Sequence, residues 1–62
     1  MTSKDLSIIS YALRSEEEAY DMYTEMIKQA TDKELIRVLK HNRKEEKEHI
    51  KMLEKFFGDM NE

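Results

Sequence analysis

The chain has no cysteine, no proline and no tryptophan, and one glycine, Gly58. Without cysteine, disulfides and thiolate metal sites are excluded. The absence also suits a reducing compartment, so the expectation is a cytoplasmic protein. With no proline and one late glycine, nothing interrupts long helices, and 40% charged residues suit helices better than sheets. No apolar run is long enough to span a membrane. Met1 to Lys4 has no signal-peptide pattern. The net charge of -3, with both signs interspersed, leaves no nucleic-acid footprint.

Sixty-two residues allow one small domain. A monomer of that size buries little surface and usually needs disulfides, a metal or oligomerisation. Disulfides being excluded, oligomerisation and a non-thiolate metal remain.

What the chain does have is His41 to His49, HNRKEEKEH, with Glu46-x-x-His49 inside it. Residues three apart on a helix share a face, so this carboxylate and imidazole point the same way. Alone the pair is a weak signal, and its place in the hydrophobic pattern strengthens it. Positions 35, 39, 42, 46, 49, 53, 56 and 60 form an unbroken heptad seam. It reads Leu35, Leu39, Asn42, Glu46, His49, Leu53, Phe56 and Met60. An earlier seam reads Leu6, Ile9, Leu13, Glu16, Tyr20, Tyr23, Ile27 and Ala30. Glu16, Glu46 and His49 therefore sit where a core is expected.

The pattern predicts an all-α antiparallel hairpin: a helix over about 4–30, a turn at 31–32 and a helix over about 33–57. Thr2-x-x-Asp5 or Ser3 can cap the first helix, and Thr31-x-x-Glu34 or Asp32 the second. Gly58 is the expected stop in a left-handed conformation, with Asp59 to Glu62 frayed. Glu17, Asp21 and Glu25 form an acidic run four residues apart, read as a solvated face or a cation funnel. Arg43, Lys44, Lys47, Glu45 and Glu48 read as a solvated face, and His41 lies off the seam.

Glu16 and Glu46 lie equally far from Thr31, so antiparallel packing brings them level, with His49 one turn further from the loop. One hairpin cannot cover its own apolar stripe. The least demanding partner is a second copy across a two-fold axis, which gives a ferritin-like four-helix bundle. Its centre would hold two Glu16, two Glu46 and two His49, the donor set of di-iron carboxylate bundles. Four buried carboxylates are costly unless protonated or paired, and two divalent cations would neutralise them. Carboxylate and imidazole donors suit iron or manganese, and zinc less exclusively.

HNRKEEKEH resembles the second-helix signature of the encapsulated ferritin family, two-helix half-ferritins housed in encapsulin shells. Thr31-Asp32-x-Glu34-Leu35 fits the same family, and Glu16-x-x-Ala19-x-x-x-Tyr23 resembles a first-helix pattern shared with rubrerythrin-like proteins. The resemblance covers roughly residues 15 to 57. It implies a di-iron ferroxidase that oxidises Fe(II) with oxygen or peroxide for iron storage in an encapsulin nanocompartment. It also implies Glu16, Glu46 and His49 as ligands from both subunits of a homodimer, Tyr23 packed near the centre, and a ring of dimers. The family's outer metal site falls on Ser15, Glu18 and Met22, of which only Glu18 keeps a carboxylate. Family members continue into a further helix and a shell-targeting tail; this sequence ends at Glu62.

Two other readings stay open. One is a rubrerythrin-like di-metal peroxide reductase, although such activity usually draws electrons through a cysteine-ligated iron domain. The other is a non-catalytic helical dimerisation module whose polar layer fixes register.

Overall fold

A computed structural model describes residues 1–60, with side chains through Gly58. Two helices, α1 (Ser3–Gln29) and α2 (Lys33–Met60), pack against each other as a hairpin. The hairpin is a rod of 45 × 16 × 12 Å.

Local chemistry fixes the ends. The Thr2 hydroxyl accepts from the Asp5 amide at 3.1 Å, and the Asp5 carboxylate accepts from the Thr2 amide at 3.2 Å. This capping box satisfies donors that the first turn leaves unpaired. At the other end of α1, Ala30 turns extended while its amide still donates to the Met26 carbonyl at 2.9 Å. Asp32 then starts α2, its carboxylate accepting from the Leu35 amide at 2.8 Å. Of the two caps expected for α2, Asp32 is the one used. Glu34 pairs with Arg37 instead of reaching back to Thr31.

The expected stop at Gly58 is corrected. α2 continues through Gly58 to Met60, and no described glycine has a positive φ. A glycine permits a left-handed stop without compelling one, and one helical glycine costs only about 1 kcal/mol against alanine. Of the residues expected to fray, Asp59 and Met60 are helical, and Asn61 and Glu62 lie outside the described residues.

Burial follows the seams unevenly. On α1, Leu6, Leu13, Glu16, Tyr20, Tyr23, Ile27 and Ala30 are half-buried and Ile9 is buried. On α2, Leu39, Asn42, Glu46 and Leu53 are half-buried, but Leu35, His49 and Phe56 are exposed. The side chain of Met60 is not described. The residues one step on, Ile36, Arg43, Ile50 and Phe57, are half-buried instead. The α2 pattern therefore carries two adjacent strips sharing Leu39, Glu46 and Leu53. Because successive residues are about 100° apart, one partner helix covers only one strip. α1 covers the 36/39/43/46/50/53/57 strip and leaves Leu35, His49 and Phe56 at an open edge.

Ile9 is the only described hydrophobic residue that is buried. Ile8, Tyr11, Met22, Met26, Val38 and Met52 are exposed along with Leu35 and Phe56. So much uncovered apolar side chain on so small a rod is the signature of an interaction surface.

Candidate metal centre

Midway along the rod, Glu16 of α1 meets Glu46 and His49 of α2. His49 Nδ1 lies 3.3 Å from Glu16 Oε2 and 3.8 Å from Glu46 Oε2. One donor atom from each of the three falls within 4.8 Å of the others. Two local facts produce this convergence. Glu46 and His49 are one turn apart on α2, so their side chains stack. The short loop then sets Glu16 at the same height on α1.

The three differ in cover. The side chain of Glu46 is 18% exposed, that of Glu16 30% and that of His49 47%. Glu46 belongs to the strip against α1, whereas His49 leans to the open edge, so the triad is closed on the hairpin side and open on the other. Beside it is an open cleft of about 420 Å³ lined by Ala12, Glu16, His49, Met52, Leu53 and Phe56. The Glu16 carboxylate and the His49 imidazole thus line a largely apolar cup, and Glu46 lies outside its lining. Oxygen and imidazole donors with no sulfur fit iron, manganese or zinc, and three donors leave coordination positions free.

The other residues singled out in the sequence fall elsewhere. Tyr23 is half-buried in the α1 seam, two turns loopward of Glu16. Glu18 is exposed. Ser15 donates its hydroxyl to the Tyr11 carbonyl at 3.0 Å, and Met22 is exposed, so the outer positions offer one carboxylate between them. Glu17 and Asp21 are exposed, and Glu25 pairs with Lys28 at 3.2 Å. His41 pairs with Glu45 at 3.1 Å on the outer face, with both side chains more than half exposed.

Arg43 departs from its expected place. It is half-buried between the helices rather than on a solvated face. Its guanidinium lies 5.7 Å from the centroid of the Tyr20 ring and donates to the Thr24 hydroxyl at 3.3 Å. The signal was present in the sequence, because 36, 39, 43, 46, 50, 53 and 57 are also heptad-spaced. A cation in that strip reads as solvated until the partner helix is in place.

No helix among the described residues is long and apolar enough to cross a membrane. No curated protein and no solved structure matches the chain. The model of the EncFtn-like family matches residues 1–57, so the chain belongs to the EncFtn-like family.

Proposed function

We propose that the protein is a di-iron ferroxidase, in which two hairpins close over the open cleft and place two Glu16, two Glu46 and two His49 around a pair of Fe(II) ions. The observation that carries this reading is the convergence of two carboxylates and an imidazole beside the open edge, where Leu35, Met52 and Phe56 also lie uncovered. A second copy meets both needs at once, covering apolar surface and completing a donor set that one chain leaves half built.

Iron is the substrate: two Fe(II) would give up one electron each, and dioxygen would take both with two protons to become hydrogen peroxide, or hydrogen peroxide would take both with two protons to become two waters. The four carboxylates balance the charge of two divalent ions and favour the ferric product, as hard oxygen donors do. His49 would supply a ring nitrogen as the third donor of each copy. Ala12, Met52, Leu53 and Phe56 form an apolar wall that keeps bulk water from the ions once the second copy is seated. Manganese and zinc fit the same donors and would compete. Tyr23, two turns loopward of Glu16, is the aromatic residue that the family resemblance would set near the centre, and Glu18 would be the remainder of an outer site. Family membership supports iron storage in the cytoplasm inside an encapsulin shell, with the dimers joined into a ring.

Sedimentation and aerobic Fe(II) oxidation test the reading together. Zn(II), a redox-silent stand-in, should favour the dimer and raise the melting temperature. At a free concentration of about 100 Kd, the linkage is worth about 2.7 kcal/mol. His49→Ala should abolish that response together with the ferric absorbance that follows mixing with Fe(II) in air. A parent chain indifferent to Zn(II) would leave the polar layer with a register role only.

A further inference from the structure

We infer that Arg43 is a positioning residue for the metal centre: it clamps α2 to α1 one turn loopward of Glu46, and so holds Glu46 and His49 at the height of Glu16. The inference rests on the ferroxidase reading of that triad.

Arg43 and Glu46 are three residues apart on α2, hence on one face and one turn apart. The guanidinium reaches across the hairpin to two residues of α1 that are four apart, standing 5.7 Å from the Tyr20 ring centroid and 3.3 Å from the Thr24 hydroxyl. Thr24 is itself held, its hydroxyl donating to the Tyr20 carbonyl at 3.1 Å. The planar cation is therefore fixed in two directions, by a ring face and by a directed hydrogen bond to an anchored acceptor.

The packing around it gives this clamp its importance. Ile9 is the only buried hydrophobic residue described, and it lies beyond the triad, away from the loop. The apolar side chains nearest the triad, Leu13, Ile50 and Leu53, are half-buried, and apolar contact is non-directional. Changing the register by one residue brings to the same height, about 1.5 Å along the axis, a side chain that points about 100° round the helix. That change would separate donors now within 4.8 Å of one another. Arg43 adds a directional contact one turn from the site, among apolar side chains that pack without direction. Lysine is a poor replacement, because a compact ammonium has no flat face to lie over the Tyr20 ring while it donates to Thr24.

Co(II) titration tests the inference without turnover, since the visible spectrum of bound Co(II) reports its coordination geometry. Binding is measured at protein concentrations where each variant sediments as the parent does. Arg43→Lys and Arg43→Met should each weaken Co(II) binding roughly tenfold and alter the spectrum, in the range found when residues supporting a ligand are lost. Tyr20→Leu, which leaves Arg43 in place, should do the same in part and keeps the test open should the Arg43 variants fail to fold. Combined with Arg43→Met it should add little further loss, because both remove one contact. A lower melting temperature with unchanged Co(II) affinity and spectrum would overturn the inference and leave Arg43 a packing residue. Full recovery of affinity by Arg43→Lys would overturn it too, since charge alone would then suffice. Failure of the ferroxidase reading looks different: the parent would bind no Co(II), or His49→Ala would bind it as well as the parent.

Discussion

The two helices carry the same kind of heptad pattern and use it differently. On α1 every seam position from Leu6 to Ala30 is at least half-covered by the hairpin itself. On α2 the pattern splits, and Leu35, His49 and Phe56 face out while Ile36, Arg43, Ile50 and Phe57 turn in. On α2 the seam itself divides between an inward and an outward strip, whereas on α1 the seam stays whole and the exposed apolar residues, Ile8, Tyr11, Met22 and Met26, lie off it. The proposed metal centre sits on that division, with Glu46 in the shared set and His49 in the outward one.

The largest expected effect breaks the comparison on α1, where the seam is unambiguous. Glu16 lies in the seam, whereas Glu17 is about 100° further round and exposed. Glu16→Ala should remove aerobic Fe(II) oxidation above the protein-free rate, and Glu17→Ala should largely keep it. Equal losses from the two would mean that the donors are not selected by the seam. On α2 the counterpart is Phe56, which is 46% exposed in the hairpin. If a second copy covers it, Phe56→Asp should cost about 1 kcal/mol or more per copy, since about half of that side chain's surface is left for a partner to bury. Sedimentation equilibrium would read this as dissociation. A solvated Phe56 would change by less than about 0.5 kcal/mol, as surface substitutions do.

Much of this was legible in the sequence. The two-helix hairpin, the α1 seam and the meeting of Glu16 with Glu46 and His49 all follow from spacing and a short turn. What was not legible was the choice between adjacent strips. Heptad spacing is the same for 35/42/49/56 and for 36/43/50/57, and only the facing helix decides which turns inward. Arg43 was misread for the same reason, since its cover comes from Tyr20 and Thr24 on the other helix. The ends of α2 failed differently. Thr31-x-x-Glu34 and Gly58 are local motifs that permit a conformation, and stronger local partners, Asp32 and Arg37, displaced the first of them.

Those ends carry the next tests. Asp32→Ala should destabilise by about 1 kcal/mol, the usual value of an N-cap. Thr31→Ala should stay within about 0.5 kcal/mol, since Thr31 does not cap. Denaturant midpoints separate the two, and a larger loss at Thr31 would restore the Thr31–Glu34 box. Gly58→Ala should stabilise by about 0.5–1 kcal/mol, because Gly58 is helical and nothing lies within 4 Å of an added Cβ. A left-handed Gly58 would reverse that sign, so thermal melts of this variant decide where α2 ends.

The smallest effect belongs to Glu34, the residue that left the expected capping box. The Arg37 guanidinium beside it holds its carboxyl below the usual glutamate value, and the same contact raises Arg37. Both side chains are largely exposed, so solvent and salt screen the pair. The sign follows from which state binds the proton more weakly. The folded carboxylate gives up its proton at lower pH than the unfolded one. Its contribution is therefore fully present above the ordinary glutamate value and is lost as pH falls through the lowered one. Arg37→Gln should narrow the stability gap between neutral and acid solution slightly, and only at low salt. Urea titrations of parent and variant at both pH values read the difference. An equal stability loss at both pH values would assign the Arg37 contribution to packing of its stem and not to Glu34. Even the intended result would be a faint one, because an exposed pair one turn into α2 adds little to the Asp32 cap that starts the helix.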